Sequence, residues 1–232
     1  MIDVEDFKQQ MDLFAAMRAK SDLPFQPYVT FDDGHISNFE YALPILQSRG
    51  MKAHFFITAG WTGDKPGYMG WQELRALHSA GQSIGAHGWS HALLTHCSDK
   101  ELHVELNDSR KILENRLGAS VTTMSLPGGR YNRRVLAACE EAGYTQVYTS
   151  IPRSEPASPG FTIGRLNIRK DMKLEWIADL FNSSQSALPR LERLYRIKAA
   201  AQMVIGDRMY ERLWAVLNRE EPDVQAAGVT RE

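Results

Sequence analysis

The stretch Thr30-Phe31-Asp32-Asp33-Gly34 lies at the end of an apolar run and predicts how the chain begins to fold. Residues 28–31 are typical of a short β-strand, and the two carboxylates that follow would lie at the rim of a sheet. Residues 39–49 have helical periodicity and end before Gly50, a common helix stop, and residues 53–58 predict a second strand. The stretch therefore belongs to a strand–helix–strand unit with two acidic residues at its first strand end.

The same alternation of strands and helices continues outward from this unit to about residue 150. Further strands are expected over residues 83–86, 122–126 and 146–150, and further helices over residues 4–20, 71–80, 99–117 and 133–142. Such alternation indicates an α/β fold with a parallel sheet or barrel. In these folds the functional residues lie at the carboxyl ends of the strands, where the two acidic residues fall.

A second polar stretch, His87-Gly88-Trp89-Ser90-His91, follows the strand expected over residues 83–86. Its two histidines have the spacing of one helical turn, which would put both imidazoles on one face. Two imidazoles and one carboxylate form the ligand set of a catalytic divalent metal that keeps positions open for water and substrate. The other carboxylate of the Asp32-Asp33 pair is then free to act as a base, so these residues indicate metal-assisted hydrolysis.

Composition argues against several other classes of protein. The 232 residues carry a formal net charge of −1, and nucleic acid is not expected as the main partner because phosphate binding requires a basic face. Cys97 and Cys139 form no Cys-x-x-Cys pair and indicate buried or free thiols. No stretch approaches the roughly 18 apolar residues of a membrane span, and the acidic first residues lack an apolar leader. We therefore expect no transmembrane segment and a cytoplasmic protein, or an extracytoplasmic one where a leader has been removed.

Both polar stretches resemble the first and second motifs of the polysaccharide deacetylases, carbohydrate esterase family four. The similarity continues through Ala42-Leu43-Pro44-Ile45-Leu46, Ala53-His54-Phe55-Phe56-Ile57 and Ala80-Gly81-Gln82-Ser83-Ile84-Gly85-Ala86-His87, and it covers about residues 28–150. The family includes chitin, peptidoglycan and nodulation-type chitooligosaccharide deacetylases. The resemblance implies a distorted (β/α) barrel that removes acetyl groups from N-acetylated sugars with a divalent metal ion.

Transferred by position, the resemblance implies roles for individual residues. Asp33, His87 and His91 would bind the metal, and Asp32 would be the general base. Zinc suits two imidazoles and a carboxylate, and cobalt, nickel or manganese can occupy the same set. The backbone N–H of Gly128 would stabilise the oxyanion together with the metal.

The chain departs from the family pattern at two motifs. Gly88 stands where the family usually has Ser or Thr, so a hydroxyl that would brace the loop is missing. The third motif is normally Arg-x-Pro followed by an aromatic residue. Here the stretch is Ser125-Leu126-Pro127-Gly128-Gly129-Arg130-Tyr131, which lacks both the arginine and the aromatic at those places. Arg130 and Tyr131 are the candidates to replace them, with Arg130 orienting Asp32. The expected substrate contacts are Trp89, Pro127, Arg130 and Tyr131.

The family's late motif supplies a histidine that protonates the leaving amine, and this chain has no histidine after His103. His35, directly after Asp-Asp-Gly, is our candidate for the general acid. The alternative is a loop histidine that shapes the entrance. Arg165 follows an expected loop and is another group that could return to the site, whereas His54 alternates within a strand and fits either the core or the rim.

We expect a deacetylase-like barrel over residues 1–187 and a helical extension over residues 188–232. The extension shows two amphipathic helices interrupted at Gly206, with many arginines between the apolar positions. It either packs on the barrel, which is the simpler interpretation, or binds a membrane surface or a partner.

Three functions are compatible with these observations. The first is removal of N-acetyl groups from a bacterial polysaccharide, because the altered third motif and the missing late histidine resemble the exopolysaccharide-associated members of the family. The second is metal-dependent hydrolysis of a small non-sugar amide. The third is a catalytically weak, glycan-binding member. Fold analogy alone does not decide among them.

Overall fold

In the part of the chain that the structure describes, six parallel strands form one curled sheet, and their order in space follows their order in the chain. The computed structural model describes residues 2–19, 28–153, 160–182 and 184–205. The strands are β1 (Val29–Phe31), β2 (Ala53–Ile57), β3 (Ser83–Ala86), β4 (Thr123–Ser125), β5 (Gln146–Tyr148) and β6 (Thr162–Ile163). Because every strand is parallel to the next, all carboxyl ends lie at one edge of this half-barrel.

Helices precede, connect and follow the strands. They are α1 (Val4–Arg18), α2 (Leu43–Gln47), α3 (Trp71–Ser79), α4 (Asp99–His103), α5 (Ser109–Leu117), α6 (Arg133–Glu141), α7 (Leu174–Asn182) and α8 (Ser184–Ile205). A capping box begins α4, because Ser98 Oγ accepts from Glu101 N at 3.3 Å and the Glu101 carboxylate accepts from Ser98 N at 2.7 Å. A π-helical segment, Val104–Asp108, joins α4 to α5, so one helix runs from Asp99 to Leu117 as expected.

The two faces of the sheet have different packing. Phe31 and Phe55 stack with their ring centroids 4.8 Å apart inside the apolar core that the helices form with the sheet. On the opposite, inner face His54 stacks on Phe56 and is hydrogen-bonded to Thr123 at 2.8 Å. The inner face is therefore polar and aromatic, and it fills the half-barrel below the carboxyl edge of the strands.

The expected α/β class and parallel barrel architecture are confirmed. Five of the strands fall within the ranges expected from the sequence, but β6 does not appear among them. It has only two residues, too few to show a periodicity, and it joins the sheet by pairing Thr162 with Val147 and Ile163 with Tyr148. The pairing of this short strand sets the path of the residues that follow Ile163, and these residues reach the candidate site.

The C-terminal part contains two helices in the described residues. Phe181 of α7 contacts Phe14 of α1 with ring centroids 5.2 Å apart. The expected boundary between residues 187 and 188 lies inside α8, and the division of the chain there stays a prediction. The second amphipathic helix expected after Gly206 lies outside the described residues. In the described part of the chain, no helix combines the length and apolar composition needed to cross a membrane.

Candidate active site

Asp32 and Asp33 follow β1 at the carboxyl edge of the sheet, and the backbone turns sharply there. Asp33 has a φ of 72° and Gly34 a φ of 84°, so two consecutive residues adopt the left-handed conformation, which Asp tolerates better than most residues. The Asp33 carbonyl accepts from Thr58 N at 3.4 Å, which ties the turn to the end of β2. This turn gives the two neighbouring carboxylates different partners.

His87 and His91 lie in the loop that follows β3. The buried His87 donates from its backbone N to Ile57 O at 2.8 Å. The expectation that helical spacing brings the two histidines together is wrong, because residues 87–91 form no helix. Positive φ values at Gly88 (79°) and His91 (64°) turn the chain back instead. The two imidazole centroids consequently lie 4.9 Å apart.

Asp33, His87 and His91 face one another, as the resemblance implies for the metal ligands. Asp33 Oδ1 lies 3.3 Å from His87 Nε2 and 3.4 Å from His91 Nε2, and the three ligand atoms lie within 4.8 Å of one another. Asp33 Oδ1 is also buried without a hydrogen-bond partner among the described residues. A buried carboxylate oxygen without a partner is unfavourable, so its place between two ring nitrogens fits a divalent cation.

Hydrogen bonds and pKa shifts affect whether these groups can bind a metal ion. His87 Nδ1 donates to Ser125 O at 2.7 Å, so Nε2 is the ring nitrogen that faces Asp33. The interaction with His87 lowers the pKa of Asp33, against the opposing effects of burial and of Asp32. Burial, followed by the charge of His87, lowers the pKa of His91. Ionised carboxylates and neutral imidazoles are the forms that bind metal ions.

Asp32 is held by an arginine that comes from the far edge of the sheet. Arg165, two residues after β6, donates from Nη1 to Asp32 Oδ1 at 2.8 Å and from Nη2 to Asp32 Oδ2 at 2.9 Å. Ser125 Oγ donates to Asp32 Oδ2 at 3.2 Å. Burial raises the pKa of Asp32, but the hydrogen bonds from Arg165 and the charges of His87 and Arg165 outweigh it, and the pKa lies below its usual value. Asp32 is thus an ionised carboxylate in a defined orientation.

The arginine that orients Asp32 is therefore Arg165 and not Arg130, which corrects our expectation for the third motif. Arg130 and Tyr131 follow the turn after β4 and lie close enough to Tyr195 of α8 to affect its pKa. Burial is the main cause of the raised pKa of Tyr195; Tyr131 adds to this effect and the charge of Arg130 opposes it. Tyr131 also packs against the apolar core. The expectation that Arg165 could return to the site is confirmed, and its pairing with Asp32 depends on the position that β6 takes beside β5.

The turn Pro127–Gly129 lies beside the loop of residues 87–91. Pro127 is buried, and a Cβ at Gly88 would lie 3.7 Å from Pro127 Cγ. Gly128 is exposed, has a φ of 65°, and a Cβ there would lie 2.9 Å from Leu93 Cδ2. The backbone that the resemblance assigns to the oxyanion site is thus next to the loop that carries the histidines.

Two further histidines, His35 and His54, have different surroundings. His35 Nδ1 accepts from Ser37 N at 3.2 Å and lies 2.8 Å from Ser37 Oγ, and its ring packs edge-on against Tyr68. His54 is buried on the inner face, where burial and the charge of Arg165 lower its pKa to about 4. Of the two alternatives for His54, the structure therefore selects the interior and a neutral ring.

Trp61 and Tyr68 form an aromatic pair beside His91. Trp61 stacks against His91 with ring centroids 5.5 Å apart, and Tyr68 packs on Trp61 at 4.7 Å. Lys65 Nζ lies 3.3 Å from the centroid of a Trp61 ring. Trp89, between the two histidines in the chain, is 37% exposed, and its indole lies against Gly60.

Glu105 is a residue of the site that the sequence motifs did not reveal. It lies in the π-helical segment Val104–Asp108, and its buried carboxylate accepts from the backbone N–H groups of Trp89 and Ser90. A signal was available, because the buried positions Leu102, Leu106, Ser109 and Leu113 have helical spacing and Glu105 borders that stripe. A carboxylate at the edge of a buried helix face requires a partner.

Comparisons with known proteins agree with this geometry. The family model described as Polysaccharide deacetylase matches residues 24–147 of the chain. A Bacillus subtilis (strain 168) protein named as a polysaccharide deacetylase, YxkH, is 30% identical over 145 residues, which are 62% of this chain and 52% of that protein. The peptidoglycan-N-acetylglucosamine deacetylase PgdA of Listeria monocytogenes is 31% identical over 124 residues, 53% of this chain and 25% of that protein. The chain thus spans about half or less of the length of these relatives.

Solved structures show the same fold. The Streptococcus pyogenes deacetylase PplD in complex with acetate superposes with a TM-score of 0.68 at 22% identity, over 77% of this chain and 86% of that chain. IcaB from Ammonifex degensii superposes with a TM-score of 0.64 at 21% identity, over 78% of this chain and 90% of that chain.

Proposed function

Because this chain belongs to the polysaccharide deacetylase family, we propose that it is a hydrolase that removes N-acetyl groups from a glycan and releases acetate. The observation that carries this proposal is the division of the two carboxylates. Asp33 faces His87 and His91, whereas Asp32 pairs with Arg165. Such a division supplies a metal site and, beside it, a carboxylate that is free to act as a base.

Asp33, His87 and His91 are the residues that would hold the divalent ion. Two imidazoles and a carboxylate suit zinc best, and cobalt, nickel or manganese share this donor preference. When bound, such an ion polarises the amide carbonyl and lowers the pKa of water.

Asp32 is the proposed general base. It accepts a proton from the water that adds to the amide carbonyl carbon. Arg165 keeps Asp32 ionised and fixes the direction of its oxygens through the paired hydrogen bonds at 2.8 and 2.9 Å. The backbone N–H of Gly128 is proposed to donate to the oxygen that becomes negatively charged. The carbon–nitrogen bond then breaks, the amine takes up a proton, and acetate leaves.

His35 stays our proposed donor of that proton. To protonate the amine, His35 must react as an imidazolium, whose Nδ1–H can donate to Ser37 Oγ at 2.8 Å and whose Nε2–H is the proton that is transferred. The matched test is His35→Gln beside His78→Gln, a histidine on α3. We expect slower turnover of N-acetylated sugars in the first variant alone, and equal rates in both would remove His35 from the mechanism.

N-acetylhexosamine glycans are the proposed substrate class, with a bacterial exopolysaccharide as the specific proposal. Relatives support the class through their names, which include peptidoglycan-N-acetylglucosamine deacetylase and, in Bradyrhizobium, chitooligosaccharide deacetylase. Trp89 supports it because it stands between the two candidate ligands in the chain and is partly exposed, and aromatic faces suit sugar rings. We propose that Trp89, Arg130 and Tyr131 contact the glycan, whereas Pro127, which was also expected to, is buried in the turn.

The deciding experiment measures acetate release from N-acetylglucosamine oligomers and from a poly-N-acetylglucosamine polymer. Protein stripped with a chelator is compared with protein reloaded with Zn²⁺, Co²⁺, Ni²⁺ or Mn²⁺, and the Asp33→Ala variant is the control. Release that depends on metal and disappears in Asp33→Ala supports the proposal. Bound metal without release of acetate would contradict it and favour a small-amide substrate or a glycan-binding protein without turnover.

A further inference from the structure

Glu105 binds the loop of residues 88–91 through several hydrogen bonds. Its Oε2 accepts from Trp89 N at 2.8 Å and from Ser90 N at 3.1 Å, and its Oε1 accepts from Ser90 Oγ at 2.5 Å. The side chain comes from another element, sixteen residues beyond Trp89, and is 5% exposed. A buried carboxylate that accepts two adjacent backbone N–H groups and a hydroxyl fixes the path of that backbone.

The loop has no side chain at Gly88, and Glu105 occupies the space where one would lie. A Cβ at Gly88 would be 2.6 Å from Glu105 Oε2, and the φ of 79° also favours glycine. The hydroxyl that the family usually carries at this position is therefore replaced, as a brace of the loop, by a carboxylate from the helix. Gly88 and Glu105 therefore depend on each other, because the Glu105 carboxylate takes the space that a side chain at position 88 would need.

The position of Glu105 depends in turn on the π-helical segment Val104–Asp108. Side-chain hydroxyls donate to two carbonyl groups of this segment. Ser109 Oγ donates to Glu105 O at 2.5 Å, and Tyr144 Oη donates to Leu106 O at 2.9 Å. The irregular turn is thus stabilised on its buried side, at the place where the carboxylate enters the loop.

The loop carries a strained residue that needs such support. His91 adopts a φ of 64°, which is unfavourable for a residue with a side chain, and in this loop conformation its Nε2 lies 3.4 Å from Asp33 Oδ1. The bonds from Trp89 and Ser90 to Glu105 hold the two residues immediately before it.

We infer that Glu105 is a positioning residue for the metal site, which holds residues 88–91 in the conformation in which His91 meets Asp33 and His87. This inference rests on the proposed function only for its metal site, and it concerns the affinity for the ion and not the identity of the substrate.

The test measures Zn²⁺ affinity by competition with a chromogenic chelator, in the full chain, for the wild type and for Glu105→Ala and Glu105→Gln. We expect Glu105→Ala to weaken Zn²⁺ binding about 10- to 100-fold, as is typical for groups that orient metal ligands. Glu105→Gln keeps one acceptor oxygen for the backbone N–H groups, so it should recover part of the loss.

Glu101→Ala is the matched control, because Glu101 lies four residues earlier in the same helix and its carboxylate bonds Ser98 at the helix start. The substitution weakens the start of the helix, away from the loop that carries the histidines. It should leave the Zn²⁺ affinity within about twofold of the wild-type value. Equal affinity losses in Glu101→Ala and Glu105→Ala would overturn the inference, since they would reflect helix stability. Wild-type affinity in Glu105→Ala would overturn it as well.

A second variant covers the case in which Glu105→Ala does not fold. Ser90→Ala removes the hydroxyl that donates to Glu105 Oε1 and should weaken Zn²⁺ binding about fivefold, the equivalent of one hydrogen bond. In a Glu105→Gln background the same change should have less effect, because the partner is altered. Full additivity of the two changes would contradict coupling through Glu105. Zn²⁺ affinity is measured apart from acetate release, so an inactive protein that binds Zn²⁺ tests this inference without supporting the proposed activity.

Discussion

Asp32 and Asp33 are neighbours in the chain, yet the structure gives them separate environments. The left-handed turn at Asp33 directs its Oδ1 toward His87 and His91, while Asp32 points toward Arg165 and Ser125. The two carboxylates are chemically identical, so their different roles arise from their partners.

Substitution by asparagine at each position separates these roles. Asp32→Asn should retain Zn²⁺ and lose turnover about 100- to 10,000-fold, because the base is removed while the ligands stay. Asp33→Asn should lose Zn²⁺ itself, since a neutral amide replaces a charged ligand. Metal content after gel filtration, together with acetate release, distinguishes the two. Equal metal loss in both variants would overturn the division of labour.

Arg165 gives a second prediction at the scale of one residue. Arg165→Ala should lower kcat about 100-fold with unchanged Zn²⁺ affinity, because Asp32 loses its orientation and the metal ligands keep theirs. Arg165→Lys should not restore the rate, since an ammonium group cannot form the paired hydrogen bonds at 2.8 and 2.9 Å. Arg169→Ala is the control and should retain kcat, because Arg169 is exposed and pairs with Asp171. A large loss in Arg130→Ala with none in Arg165→Ala would return the third-motif arginine to the role first expected of it.

At the scale of elements, the inner faces of β2, β3 and β4 set how closely the strands pack beneath the site. Gly85 of β3 faces Phe56 and Thr123, and a Cβ there would lie 2.5 and 2.6 Å from them. The glycine thus makes room for the aromatic layer that includes His54 and Phe56.

Gly85→Ala should therefore destabilise the fold by about 1–3 kcal/mol through overpacking. Gly160→Ala is the matched control, because no atom of the described residues lies within 4 Å of the place that a Cβ at Gly160 would take. This control should change stability by less than about 0.5 kcal/mol. Urea unfolding monitored by tryptophan fluorescence measures both. If the two variants have equal free energies of unfolding, the strands can move apart at position 85 without loss of stability, and the prediction is wrong.

At the scale of the whole molecule, His54 couples stability to pH. Burial and the charge of Arg165 lower its pKa to about 4, from a usual value of 6.5, so the folded state disfavours its protonated form. This contribution to stability is complete above pH 6.5 and is lost as the pH falls from 6.5 toward 4, because the unfolded chain binds the proton first.

Between pH 7.5 and pH 5, His54 should account for about 2 kcal/mol of lost unfolding free energy. His54→Gln cannot titrate and should show a pH dependence shallower by about that amount. Urea unfolding at both pH values checks the difference between the two proteins. If the unfolding free energies of the two proteins depend on pH to the same extent, His54 takes up its proton as easily in the folded state as in the unfolded chain.

The sequence alone was sufficient for the fold class, for five of the six strands, and for the residues Asp32, Asp33, His87 and His91. These features depend on local periodicity and on short motifs, which neighbouring residues determine. Trp89 and Gly128 were also expected at this rim, and their contacts with substrate stay predictions.

Tertiary structure alone decided which residues support that site. Arg165 reaches Asp32 across 133 positions of the chain, through the two-residue strand β6, and Glu105 reaches the histidine loop from a π-helical segment. The histidines meet through left-handed turns at Gly88 and His91, although their spacing suggested a helix. Sequence patterns show which residues can bind or react. Which distant side chain orients them depends on strand pairing and helix packing, and these contacts arise only when the whole chain folds.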